Sequence, residues 1–178
     1  ALLEGHGHRS AALLSGYWWV VKRQKTGGGP AFDDTAQFER LKGMCVANAD
    51  GSTWVVDNYE KVGIFGDWRG MSVGLCHGSA DAAHELLGQF LGTARIGFPL
   101  VSFDQEIGGS QHAPCYAANH GHPPGYGDWM WTGFRDLCAR IREEGRKWEP
   151  EIGLFMENES DLAVPLMATY WSRQFGEV

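Results

Sequence analysis

Asp104 and Glu157 each close a short apolar run, Gly97-Phe-Pro-Leu-Val-Ser-Phe before the first and Ile152-Gly-Leu-Phe-Met before the second. A carboxylate at the C-terminal end of a parallel strand projects into the pocket over the mouth of a β/α barrel, so two of them can reach one substrate. Paired carboxylates serve the cleavage of glycosidic bonds. One attacks the anomeric carbon or stabilises an oxocarbenium ion, and the other exchanges a proton with the departing or entering oxygen. Asp104 is assigned the first role and Glu157 the second. A general acid needs a pKa raised by burial or by a nearby negative charge; the apolar run before Glu157 favours burial, and Asp104 supplies the charge. Each acid also has a plain structural reading, Asp104 as a turn cap and Glu157 as a surface acid. Gln105 follows the first acid, and Glu159 shares a face with Glu157 if the chain stays extended. Both are expected to touch substrate.

A second concentration of chemistry lies in the long Pro- and Gly-rich loop between the acids, where His112, Cys115, His120 and His122 crowd together. Imidazole and thiolate at short spacing can close on zinc. The spacing matches no standard zinc pattern, so the preferred reading has the histidines hydrogen-bonding a sugar, with no metal and no cofactor in the site. Cys115, His120, His122 and Trp129 are then substrate contacts, joined by His6 from the polar opening Glu4-Gly5-His6-Gly7-His8-Arg9. Trp18 and Trp19 belong to an aromatic excess, and aromatic faces stack on sugar C–H faces as readily as they fill cores.

Other chemistries find little support. No Gly-x-Gly-x-x-Gly opens a helix, no Walker loop is present, and Ser15-Gly16 lacks a Gly-x-Ser-x-Gly elbow. A formal net charge of −7 supplies no basic stripe to displace counterions from phosphates, which argues against a nucleic-acid partner. No stretch approaches the roughly 20 apolar residues of a membrane span, and the sequence does not choose between a secreted and a cytoplasmic location. Cys45, Cys76, Cys115 and Cys138 form no Cys-x-x-Cys pair and are read as mostly buried thiols.

These side chains need elements to hold them. Leu13 to Val21, dense in aromatic and β-branched residues, is expected to be one buried strand. Asp34-Thr-Ala-Gln37 has the form of a capping box, and Phe38, Leu41 and Cys45 carry a helical stripe to about Asn48. Asp50-Gly51 marks a turn, Thr53 to Asp57 a short strand, and the stretch 58–70 shows no clear period. Met71 to Cys76 reads as a strand. Ser79 then caps a helix whose Ala83, Leu86, Leu87, Phe90, Leu91 and Ala94 line one side, and the strand closing at Asp104 follows. Asp128 caps a helix burying Trp131, Phe134, Leu137, Cys138 and Ile141, and after Glu157 a final helix opens at Pro165 and runs through Tyr170, Trp171 and Phe175.

Strands alternating with helices imply parallel β-α-β crossovers, hence an α/β fold of the (β/α) TIM-type barrel kind, in one domain over 1–178. A closed eight-stranded barrel takes about 250 residues, and about four or five β-α units are visible here. The chain is therefore expected to be a partial barrel, either a fragment of a larger one or completed by homo-oligomerisation.

Phe103-Asp104-Gln105, Pro114-Cys115-Tyr116, the run Asn119-His120-Gly121-His122-Pro123-Pro124-Gly125-Tyr126-Gly127-Asp128-Trp129 and the Glu157 strand together resemble a bacterial family of glycoside-hydrolase-like TIM barrels of largely unassigned specificity. Its pattern is an Asp-Gln strand end, a Cys and a His-Gly-His-Pro loop. Glu4 to Arg9 and Ser15-Gly16-Tyr17-Trp18-Trp19 fit it less specifically. The likeness covers most of the chain, although the family's barrel and accessory β domains are larger. It is distantly similar to α-galactosidase and endo-α-N-acetylgalactosaminidase barrels. The resemblance implies a glycosidase acting on a carbohydrate, with Asp104 as nucleophile or base and Glu157 as general acid. Here Pro-Gly-Tyr-Gly follows His-Gly-His-Pro in place of a more continuous glycine run, and Glu157-Asn-Glu159 leaves two candidates for the acid. The alternatives are a non-catalytic carbohydrate-binding barrel and a metal-dependent hydrolase using the His/Cys loop.

Overall fold

The computed structural model describes residues 10–14, 16–25, 32–61, 68–103, 113–156 and 165–170. Their strands fall into two four-stranded sheets. One is parallel and holds β1 (Ala11–Leu14), β6 (Leu100–Phe103), β7 (Gly153–Met156) and β8 (Thr169–Tyr170), neighbours in that order. The other is antiparallel and is built from the segment between β1 and β6: β2 (Trp18–Lys25), β3 (Phe32–Asp33), β4 (Val55–Lys61) and β5 (Trp68–Gly74), in the order β3-β2-β5-β4. Three helices accompany them: α1 (Thr35–Leu41), α2 (Ala80–Arg95) and α3 (Trp129–Gly145).

In the parallel sheet each strand lies beside the previous one in chain order, with no reversal of the kind that marks a doubly wound sheet. Both long helices cover one face of it. The Phe103 ring on β6 sits 4.3 Å from Phe90 of α2 and 5.1 Å from Phe134 of α3, centroid to centroid, and all three side chains are fully buried. Ser102, on the other face of β6, is fully buried as well, so this strand is covered on both sides, as parallel strands generally are. The antiparallel sheet shares the same core: Tyr17, Val21, Val73 and Leu75 pack in one cluster with Leu86, Phe90 and Phe103.

Helices α2 and α3 lie where the apolar stripes place them, although Ala82 and not Ala83 is the buried residue of the first turn of α2. Ser79 Oγ accepts from Ala82 N at 3.2 Å, and Ala82, Leu86, Leu87, Phe90, Leu91 and Ala94 form the buried stripe of α2. Phe134, Leu137, Cys138 and Ile141 do the same for α3, with Trp131 half-buried. Asp128 stands at the N-cap position of α3 without a side-chain cap bond, and its carbonyl accepts from Thr132 N at 2.9 Å. Gly51 turns with φ +83°, as Asp50-Gly51 requires.

Several strand expectations are corrected. The run from Leu13 to Val21 is two strands in different sheets, because Gly16 at φ +56° breaks it and Tyr17 leads into β2. Strands β4 and β5 pair antiparallel, not as parallel crossovers, and they occupy much of the stretch that showed no period. Helix α1 ends at Leu41, well short of Asn48: a 3-10 turn over Lys42–Met44 follows, and Cys45 is extended and bridges Leu75. Its start is held by Asp33 Oδ1, which accepts from Thr35 N at 3.0 Å, and not by an Asp34 side-chain bond. Pro165 opens a turn and not a helix. Ala168 N donates to Leu154 O at 2.7 Å, and this ladder bond lays the chain along β7 as β8.

Candidate functional site

The strand ends come first, because they carry the expected acids. Phe103 and Met156 are register partners at the last positions of adjacent parallel strands, and both are fully buried. Asp104 and Glu157 are the next residues in the chain. They lie outside the described residues, as do His6, Gln105, His112 and Glu159, and of Trp18 only the backbone, in β2, is described. Trp19 is half-buried and packs against the main core.

The loop residues converge on a thiol that sequence spacing did not reveal. Cys115, His120 and His122 meet Cys76, which stands 39 positions before Cys115 and just beyond β5, and one ligand-capable atom from each of the four lies within 4.8 Å of the others. Cys76 Sγ is 3.2 Å from His122 Nε2, and Cys115 Sγ is 3.5 Å from His120 Nδ1. The other nitrogen of each ring faces a carbonyl, which can only accept. His120 Nε2 donates to Gly43 O at 2.7 Å, and His122 Nδ1 donates to Pro123 O at 2.8 Å. Each hydrogen bond fixes the tautomer, leaving the nitrogen that faces the thiol with its lone pair free.

Backbone hydrogen bonds hold both cysteines of this cluster. Cys76 N donates to Met44 O at 2.9 Å, and Cys115 exchanges hydrogen bonds with Gly125 at 3.2 and 2.8 Å, closing a small bridged loop around the two histidines. Cys76, Cys115 and His120 are buried and His122 half-buried, and Val46, Ala113, Trp54 and Trp129 pack alongside. Burial, then the neighbouring Cys115, pushes the Cys76 thiol up to about 12. Cys115 and His120 thus face inward, while His122 stacks on Trp129 with ring centroids 3.7 Å apart and planes 9° from parallel.

That stack forms one wall of a hollow of about 290 Å³ between α2 and α3, lined also by His77, Gly78, Ser79 and Gly133. None of the described residues of β6 or β7 lines it. His77 is buried, stacks on Tyr17 at 3.8 Å and lies with Nδ1 3.3 Å from the Met130 carbonyl. Glycine is needed at two contacts here: a Cβ on Gly78 would stand 2.7 Å from Trp129 Cε3 and closer still to His122 Cδ2, and one on Gly133 would collide with the His77 carbonyl.

The chain belongs to the family described as a domain of unknown function (DUF6259), whose model matches residues 83–177, more than half of its length. Over 42 residues it is 50% identical to a Bacteroides thetaiotaomicron protein named "Putative glycoside hydrolase", a stretch that is 24% of this chain and 6% of that protein. Among solved structures it is similar to the α-galactosidase of Thermus thermophilus, in complex with p-nitrophenyl α-D-galactopyranoside, at TM-score 0.53 and 12% identity over 94% of this chain and 27% of that one. An α-galactosidase of Geobacillus stearothermophilus in complex with stachyose matches at TM-score 0.53 and 8% identity over 95% of this chain and 20% of that one. The α-L-fucosidase isoenzyme 2 of Paenibacillus thiaminolyticus matches at TM-score 0.52 and 15% identity over 93% and 24%. At such identities the likeness is one of fold. The mixed α/β architecture with its parallel sheet is thus similar to parts of glycosidases, and the chain spans about a quarter or less of the proteins it resembles.

Proposed function

We propose that this member of the DUF6259 family is an arc of a β/α barrel that hydrolyses O-glycosidic bonds with Asp104 and Glu157 as its carboxyl pair. The observation that carries the reading is the pairing of Phe103 with Met156 at the ends of adjacent parallel strands. Paired strands lie about 4.8 Å apart, and side chains in register point to the same face. Phe103 points to the helices; a pleat continued by one residue would turn side chains at 104 and 157 to the opposite face, which in a β/α barrel is the interior beneath the active-site mouth. Strand neighbours at that spacing favour the short carboxyl separation, about 5–5.5 Å, of a retaining mechanism.

In that mechanism Asp104 attacks the anomeric carbon while Glu157 gives its proton to the leaving oxygen. Water then displaces Asp104, and Glu157 takes back a proton. The glycosidase folds that this chain resembles support the reading, and so does the 42-residue likeness to a protein named as a glycoside hydrolase. They also suggest the first substrates to try, p-nitrophenyl α-galactosides and α-fucosides. In the natural protein that carries this chain, Asp104→Asn and Glu157→Gln are each expected to lower turnover by about 10²-fold or more at unchanged melting temperature. Turnover unchanged in both variants would remove this carboxyl pair from the chemistry, and wild-type protein that binds a sugar but cleaves no glycoside would be a carbohydrate-binding barrel.

A further inference from the structure

We infer that Cys76, Cys115, His120 and His122 form a structural zinc site that fastens the 113–127 loop to the end of β5. Cys2His2 is a donor set that selects zinc, and four protein ligands with no position left for water mark a structural and not a catalytic site. Tetrahedral zinc, with Zn–S about 2.3 Å and Zn–N about 2.0 Å, sets neighbouring sulfur and nitrogen about 3.5 Å apart. The two thiol–imidazole separations here are 3.2 and 3.5 Å.

The surroundings match those of a metal site. Each ligating nitrogen belongs to a ring whose other N–H is held by a backbone carbonyl, Gly43 for His120 and Pro123 for His122, the outer-shell arrangement that orients metal-bound histidines. A dication deprotonates a coordinating thiol outright. Binding is therefore expected to release protons from the cysteines.

The ion would also tie together distant parts of the chain. Cys76 stands between β5 and α2, and the other three ligands come from the loop that leads into α3. His122, held on the metal side, would keep its stack on Trp129 and so the wall of the hollow between the helices. None of this depends on glycosidase activity.

The test is metal content and cobalt spectroscopy on the reduced protein. Protein dialysed against Zn2+ and freed of excess is expected to retain one zinc per chain, and Co2+ added to the metal-free protein to give tetrahedral d–d absorption with thiolate charge-transfer bands. Cys76→Ser and Cys115→Ser should lose the zinc, while Cys45→Ser, a buried thiol outside the cluster, keeps it. Chelation should lower the melting temperature, and Zn2+ should restore it. The inference is overturned if reduced wild-type protein takes up neither ion, which would leave two thiol–imidazole hydrogen bonds. Zinc retained by both serine variants would overturn it too. The Co2+ titration of the wild type decides between these outcomes even if a variant fails to fold.

Discussion

At the scale of single residues, Gly133 illustrates how one hydrogen in place of a methyl sets the geometry. Alanine favours a helix interior by about 1 kcal/mol over glycine, yet a Cβ at 133 would run into the His77 carbonyl, a backbone atom with nowhere to go. Overpacking of that kind typically costs about 1–3 kcal/mol and occasionally more, so the clash outweighs the propensity. Gly133→Ala is expected to destabilise the protein by about 2 kcal/mol or more. Gly88→Ala, at an exposed site of α2 with no heavy atom near its added Cβ, should stabilise it by up to about 1 kcal/mol. Urea unfolding of the two variants distinguishes them, and equal effects would mean that α3 does not press on the turn before α2. The same scale shows what sequence reasoning could reach. His120, His122 and Cys115 stand close in the chain and were visible as a group. Their fourth partner, Cys76, reaches them only through the fold, and no local spacing encodes that approach.

At the scale of elements, β6 holds both helices through one ring. Phe103 is buried between Phe90 and Phe134, and Phe103→Ala is expected to cost about 3–5 kcal/mol, read as a lower urea midpoint. A loss below about 1 kcal/mol, near the typical effect of an arbitrary substitution, would contradict the packing described. Helices α2 and α3 were legible because a stripe at a period of 3.6 residues, with Ser79 as cap, names both the element and its buried side. Strands were harder. Alternation marks β5 as extended but does not say whether its partner is parallel or antiparallel, so the hairpin of β4 and β5 passed for part of a crossover series. At Pro165 a favourable helix-start signal lost to ladder hydrogen bonds along β7. Tertiary pairing overrode local preference there.

At the scale of the whole molecule, the four strands of the parallel sheet among the described residues follow one another in chain order. Among the described residues β1 and β8 are its edges. The solved glycosidases matched by the chain are roughly four to five times its extent, since it covers 20–27% of each. In the proposed mechanism adjacent strand ends deliver Asp104 and Glu157 to one pocket. The distance between their carboxyl groups in a crystal structure of the natural protein tests it most directly. A retaining pair is expected at about 5–5.5 Å, with up to about 9.5 Å still admitting an inverting pair. Carboxyl groups much farther apart, or opening on opposite faces of the sheet, would contradict it.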